Sequence, residues 1–451
     1  MPEVRTAIHT AAIFVLICSS CSRTPEPRNV VLISIDTLRA DRMSLYGGPR
    51  QTTPAIDALA RRGVHFVNAF TSSPWTLPAH ATMLTGRYPS SLSSNLDDPL
   101  FKLAPLVSTV LKQHGYQTTA VTAGGYVSAT YGADTGFDTF KVGTADDAVG
   151  WIERDARTPF FLFFHTYVTH IPYRDRRYVE ALDGGQLATL YQGKAPAWIY
   201  QHRLLYCGDL VLSGAEKDFL LGLYDGCVAA ADEMVGRILA ALQKAQLSER
   251  TIVVITSDHG EEFWDHTGRA AYHGHTLYNE LLRVPLIWYE PGLPAPGARS
   301  ELVGLVDIMP TLLARLGFPA PPDVEGMDVS PLLEGRTFAD HRTLFAEAVR
   351  NGPARGCVFS AAGKLIVTRD PEVQLGEGKV CKVPVLNAEE LYLPGDGAEK
   401  QNRFADNPQL ADELARALRA HQERAIVTTP GRRHELDRET EERLRALGYS
   451  N

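Results

Sequence analysis

The chain has 451 residues, 44% of them hydrophobic and 22% charged, with a net charge of −8, which is enough for one large α/β domain and a smaller one without an extended linker. A mildly acidic total gives no electrostatic footprint for nucleic acid, although the local field of a cleft still decides whether an anion binds there. The sequence carries no internal repeat or low-complexity tract, which excludes solenoids and disordered scaffolds.

Residues 1–21 read as a secretory signal. Arg5 and His9 precede the apolar run Ala11–Ile17, and the small residues Ser19 and Ser20 lead to Cys21. The run is far short of the ~20 apolar residues that a spanning helix needs. Small residues directly before Cys21 are similar to a bacterial lipoprotein site, with Cys18 standing where leucine is usual. The expectation is therefore an exported protein of the bacterial periplasm or outer membrane, held at the membrane by a lipid on Cys21, with residues 22–28 as a tether.

Asn29–Ile35 is a continuous apolar, β-branched run that stops at Asp36, as a central parallel strand covered on both faces does. Thr118–Thr122, Phe160–Phe164, Thr251–Thr256 and Val284–Tyr289 repeat the pattern, and the run at Thr251 stops at Ser257-Asp258-His259-Gly260. Helical periods separate them at Thr53–Arg62, Leu103–His114 and Leu221–Gln243. The alternation predicts a doubly wound, mostly parallel α/β sheet over residues 29–340. Ligands of such sheets collect at the carboxyl ends of the strands, where Asp36 and Asp258-His259 fall.

From residue 341 to 451 the pattern changes. Arg342–Val349, Gly356–Ser360, Lys364–Thr368 and Val380–Val385 predict a small antiparallel-sheet subdomain, and Asp412–Ala425 and Glu435–Leu447 a charged helical tail. The four remaining cysteines, Cys207, Cys227, Cys357 and Cys381, form no C-x-x-C pair, which argues against structural zinc. In an oxidising compartment Cys357 and Cys381, flanking neighbouring strands, are expected to pair. Cys207 and Cys227 are left between a disulfide and two buried thiols.

The segment Thr76-Leu77-Pro78-Ala79-His80-Ala81-Thr82-Met83-Leu84-Thr85-Gly86-Arg87 carries the most chemistry. Thr76 reads as the N-cap of a helix, and a hydroxyl there faces unpaired N–H groups that favour an anion. On its own, the cap is sufficient reason for a threonine at that position.

Around this segment the chain resembles the sulfatase family of the alkaline phosphatase superfamily, from about Asn29 to Arg403. The resemblance rests on Thr53-Pro54-Ala55-Ile56-Asp57-Ala58-Leu59-Ala60, Leu84-Thr85-Gly86-Arg87-Tyr88-Pro89, Gly115-Tyr116, Gly136-Phe137-Asp138, His170-Ile171-Pro172-Tyr173, Ser257-Asp258-His259-Gly260-Glu261, Arg283-Val284-Pro285-Leu286, Asp307-Ile308-Met309-Pro310-Thr311 and Glu389-Glu390-Leu391-Tyr392, in that order. It implies a metal site at Asp36, Asp258 and His259, with Thr76 as nucleophile and further metal ligand.

Three departures qualify the resemblance. Thr76 replaces the cysteine that sulfatases convert to formylglycine, so no formylglycine forms. The arginine of the family's C-x-P-x-R is His80. The Lys-x-His pair expected after Gly115-Tyr116 is missing from Ala120–Val127. The segment is also similar to T-x-P-x-H…T-G of nucleotide pyrophosphatases and phosphodiesterases, matched by Thr76, Pro78, His80, Thr85 and Gly86, and implying threonine as nucleophile at zinc. Two carboxylates and an imidazole shift preference from Ca²⁺ toward Zn²⁺ or Mn²⁺, with Mg²⁺ open. A second ion would draw on His165, His170, His273 and His275, but lacks an aspartate at the right spacing.

His170, His273 and His275 are the candidates for protonating the leaving group, and Arg39, His80 and His165 for binding substrate oxygens, with Arg39 also read as a brace to Asp41. The expected function is metal-dependent hydrolysis of a sulfate or phosphate ester of a small molecule, glycan or lipid. The alternatives are a phosphodiesterase or phospho-group transferase of the same superfamily, and a catalytically inactive binding homologue.

Overall fold

The computed structural model describes residues 28–95, 98–190, 210–337, 342–369, 387–425, 436–447 and 449. Its centre is an eight-stranded sheet built from β1 (Asn29–Ile35), β2 (Val64–Phe66), β3 (Gln117–Thr122), β4 (Thr139–Val142), β5 (Phe160–Thr166), β6 (Thr251–Thr256), β7 (Leu286–Tyr289) and β8 (Gly297–Arg299). Their order is β8-β2-β7-β6-β1-β5-β3-β4. Strand β1 is central and pairs in parallel with both β5 and β6, while β7 runs antiparallel to β6 and β2. The mostly parallel sheet read from the sequence is thus present. The short strands β2, β4 and β8 were not expected, because three or four residues give too little periodicity.

Alternate residues of β1 feed two cores, as the two-residue period of a strand requires. Val31, Ile33 and Ile35 face α1 (Pro54–Ala60), α4 (Ala145–Arg154) and the long α5 (Gly214–Lys244). Val30 and Leu32 face α2 (Thr76–Thr85), α3 (Val107–Gln113) and α6 (Ile308–Leu316). Helix α5 starts at a capping box in which Ser213 and Glu216 satisfy each other's backbone N–H groups.

A second sheet of four antiparallel strands joins β9 (Leu344–Ala346), β10 (Arg355–Ser360), β11 (Gly363–Thr368) and β12 (Glu389–Tyr392). Helix α7 (Pro408–Gln422) covers it through Leu414 and Leu418. The expected strand at Val380–Val385 lies outside the described residues, and the fourth described strand is Glu389–Tyr392. Helix α8 (Arg438–Ala446) returns to the large sheet, where Leu444 is buried in the same core as α2. Cys227 and Cys357 are buried and form no disulfide among the described residues. Cys207 and Cys381 lie outside the described residues, and with Cys381 so does the expected pairing. No helix among the described residues is long and apolar enough to cross a membrane.

Candidate active site

The register of the sheet assembles the site. Ser34 on β1 is paired with Thr256 on β6 and with His165 on β5. Two residues further along the parallel strands, Asp36 and Asp258 leave the sheet side by side. His165 flanks them on the other neighbour. The chain turns at once after Asp36, with Thr37 in the left-handed region at φ 58°, a conformation that a β-branched residue adopts only at a cost. The turn aims the Thr37 N–H at Asp258 Oδ1, 3.2 Å away.

Helix α2 lies on the face of β1 that carries Ser34. A four-residue step on a helix advances about 6 Å and a two-residue step on a strand about 6.6 Å, so Thr76 and His80 can stand over Asp36 and Ser34 together. The Thr76 hydroxyl donates to Asp36 Oδ2 at 3.2 Å, and the His259 Nε2 is 3.4 Å from it. The His80 Nδ1–H donates to the Thr76 carbonyl at 2.9 Å, which leaves Nε2 to accept from the Ser34 hydroxyl at 2.9 Å.

Thr76 does not cap its helix, contrary to the sequence reading. It is the first helical residue, and Trp75 in extended conformation takes the cap position without a side-chain bond. The threonine hydroxyl is therefore free of the helix and committed to the carboxylate side of the site.

Asp36, Asp258 and His259 bring one ligand atom each to within 4.8 Å of one another, all fully buried. Each carboxylate has one anchored oxygen and one orphan. Asp258 Oδ1 accepts from the Thr37 and His259 N–H groups, while Asp258 Oδ2 and Asp36 Oδ1 have no hydrogen-bond partner. The His259 Nδ1–H donates to the Gly260 carbonyl at 2.8 Å, which turns a bare Nε2 toward the same point. His165 Nε2 is likewise unpartnered, 3.6 Å from Asp36 Oδ2.

The electrostatics match this geometry. Burial pushes the Asp36 carboxyl up to about 8, although the nearby Asp258 and the Thr76 hydroxyl pull the other way. Burial and then the Asp36 charge raise Asp258 well above the carboxylate range. Burial depresses His259 to about 3 and His165 to about 3. Among the described residues no Lys or Arg forms an ion pair with either aspartate. Two buried carboxylates with orphaned oxygens beside neutral imidazoles are a poor arrangement alone and a suitable donor set for a divalent cation.

The other candidates divide. His170 and His273 stand on the outer side of this group, their ring centres 5.1 Å apart, with His273 4.6 Å from the His259 ring. Glu261 Oε1 holds His273 Nδ1 at 2.8 Å, and the Ile171 carbonyl accepts from His170 Nδ1 at 2.7 Å, so both rings turn Nε2 to the same place. His275 is turned away to Glu262, Nε2 to Oε2 2.5 Å. Arg39 is bonded to Asp41, Asp265 and the Glu261 carbonyl, the arrangement expected of a brace. His80 has both nitrogens engaged beneath Thr76, with the Ser34 hydroxyl and the Thr76 carbonyl.

Two residues of the site were missed. Glu261 lies in the Ser257–Glu261 run, directly beyond the expected ligands, and its position there was the available signal. Tyr449, whose hydroxyl is 2.6 Å from His273 Nε2 and 3.2 Å from His170 Nε2, had none.

Comparison with known proteins bears on this arrangement. The family model described as Sulfatase matches residues 28–318. The chain is 26% identical over 375 residues to arylsulfatase K of Canis lupus familiaris, covering 70% of this chain and 68% of that protein. Its fold is similar to that of a protein solved in complex with its substrate D-glucosamine-2-N,6-O-disulfate, at a TM-score of 0.67 and 20% identity, covering 88% of this chain and 98% of the other. It is also similar to a phosphonate monoester hydrolase of Silicibacter pomeroyi, at a TM-score of 0.64 and 20% identity, covering 88% and 96%.

Proposed function

This chain belongs to the sulfatase family and is a hydrolase of the sulfuric ester hydrolase type, and we propose that it cleaves a sulfate or phosphate ester through attack by the Thr76 hydroxyl. The observation that carries this reading is the commitment of that hydroxyl to Asp36 and His259 and not to its own helix.

Asp36, Asp258 and His259, with Thr76, would hold one divalent ion, and His165 is a further donor within reach. When bound, such an ion neutralises the two carboxylates and makes the threonine alcohol more acidic. The donor set favours Zn²⁺ or Mn²⁺ over Ca²⁺.

The remaining steps fall to the chain's own groups. The first turn of α2 offers free N–H groups to the tetrahedral anion. Thr76 Oγ1 bonds to phosphorus or sulfur as its proton passes toward Asp36 Oδ2, and the bond to the leaving-group oxygen breaks. His273 Nε2, steadied by Glu261, gives that oxygen a proton. A water then attacks the threonyl ester, giving a proton back to His273, and the bond to Thr76 Oγ1 breaks as Asp36 returns the proton to the threonine, which frees the inorganic anion.

Residue chemistry favours phosphate. Formylglycine expels sulfate by collapsing to its aldehyde, whereas a threonyl sulfate has no such exit and waits for water to attack sulfur. The shared fold with a phosphonate monoester hydrolase supports a site that handles phosphorus, and the disulfated glucosamine of another structural neighbour supports a glycan substrate. Residues 1–21 support export, with a lipid on Cys21 as the membrane anchor. A screen of paired aryl sulfates and aryl phosphates, with Zn²⁺, Mn²⁺, Ca²⁺ and Mg²⁺ varied, tests the reading. Metal-dependent turnover of at least one class upholds it, and inertness toward both under every metal overturns it.

A further inference from the structure

The segment from Leu436 to Tyr449 takes no part in the chemistry above, yet it ends inside the site. Asp437 caps α8 by accepting from the Thr440 N–H at 2.9 Å, and its other oxygen accepts from the Thr130 hydroxyl. Arg443 Nη1 donates to the Ala123 carbonyl at 2.5 Å, and Leu444 is buried. Beyond the helix, the Tyr449 ring meets Tyr126 edge-on at 5.0 Å. Its hydroxyl reaches His273 Nε2 and His170 Nε2 at 2.6 and 3.2 Å.

The loop under this segment is shaped to receive it. Gly124 and Gly125 occupy φ 78° and 63°, where side chains are disfavoured. A Cβ on Gly124 would fall 2.8 Å from Arg443 Cδ, and one on Gly125 would fall 2.9 Å from the Tyr167 hydroxyl and 3.4 Å from Leu447 Cδ1. These glycines lie in Ala120–Val127, the stretch without Lys-x-His.

The consequence for access is direct. Thr76 and Asp36 are 0% exposed, His170 2% and His273 6%. With the phenol seated between the two imidazoles, a substrate oxygen has no place beside them. We infer that the 436–449 segment is an intramolecular occupant of the active site, with the Tyr449 hydroxyl standing where the leaving-group oxygen of the ester binds, so that substrate enters by displacing it. The inference rests on the assignment of Thr76, His170 and His273 to the reacting centre.

Within α8 only Thr440 and Leu444 are buried, so most of the hold on the segment comes from a few polar contacts, and an occupant held that way acts as a competitor in equilibrium with substrate. If the displaced state is populated at roughly one part in ten, removing the anchor lowers KM about tenfold at constant kcat. Tyr449→Ala and Arg443→Ala should both show that split, and a peptide of residues 436–451 added to a variant lacking them should raise KM again. A second readout needs no turnover: diethyl pyrocarbonate should modify His170 and His273 faster in both full-length variants than in the unaltered chain, as mapped by mass spectrometry. Unchanged histidine reactivity, or a kcat that falls while KM holds or rises, overturns the inference. If no ester is turned over by any variant, the catalytic reading fails, while the histidine reactivity still decides whether the segment occupies the site.

Discussion

Thr76, the first residue of α2, meets Asp36, the first residue beyond β1, at 3.2 Å between Oγ1 and Oδ2. The pair exists because the helix lies along the strand with matched steps, His80 over Ser34 and Thr76 over Asp36. It follows that Thr76→Ala removes one buried hydrogen bond and no cap, and with Asp36 Oδ2 left unpaired the loss is about 1–3 kcal/mol. Turnover should vanish while the melting temperature shifts by a few degrees at most. Thr76→Ser should keep part of the activity, since it restores an attacking hydroxyl. Kinetics and thermal melts on the two variants check this.

Stability of the metal-free protein should depend on pH in a stated direction. Burial raises Asp36 from an ordinary 3.8 to about 8, so the folded state binds a proton that the unfolded state has already lost across that window. This contribution is complete below the unfolded value and disappears as pH rises through about 8. The chelated protein should therefore melt at lower temperature at pH near 8 than near 5, and Zn²⁺ or Mn²⁺ should restore most of the difference. Asp258→Asn, which removes a neighbouring buried charge, should stabilise the chelated form at the higher pH and abolish the metal response. Melting curves with and without metal decide it.

The leaving-group role proposed for His273 makes a selective prediction. His273→Ala should lower kcat by roughly 10²–10⁴ for an alkyl ester, whose oxygen needs a proton, and by much less for a nitrophenyl ester, whose oxygen does not. Equal losses on both substrates would assign the ring to binding instead.

Arg39 should behave as a brace. Its guanidinium bonds Asp41 and Asp265 together, with Asp41 55% exposed. Arg39→Ala should cost roughly 2–4 kcal/mol, at the low end for a pair partly open to solvent. KM of the folded fraction should stay close to that of the unaltered enzyme, which steady-state kinetics below the melting transition would show.

Much of the fold and part of the site can be read from the chain, for physical reasons that also explain the omissions. Asn29–Ile35 and Thr251–Thr256 announce themselves as buried parallel strands, and their ends bring Asp36 beside Asp258 once the register is known. Thr76 is visible through its motif, but its helical role is not, because Trp75 takes the cap position through backbone conformation alone. Val64–Phe66 and Gly297–Arg299 are too short to show a period. Arg39, His80 and His275 carry suitable chemistry, and only the positions of Asp265, Ser34 and Glu262 show that each is already engaged. Tyr449 is beyond sequence reasoning altogether, since nothing local ties it to histidines 279 and 176 residues away.

The central claim is a covalent bond to Thr76, and the direct measurement is mass spectrometry of protein quenched in acid during turnover of an aryl phosphate or aryl sulfate. The account predicts a phosphoryl or sulfuryl adduct on the Thr76 peptide, absent from Thr76→Ala. It should also accumulate when the water step is slowed in His273→Ala with a nitrophenyl substrate. Undiminished turnover by Thr76→Ala, with no adduct on that peptide in the unaltered enzyme, would contradict it.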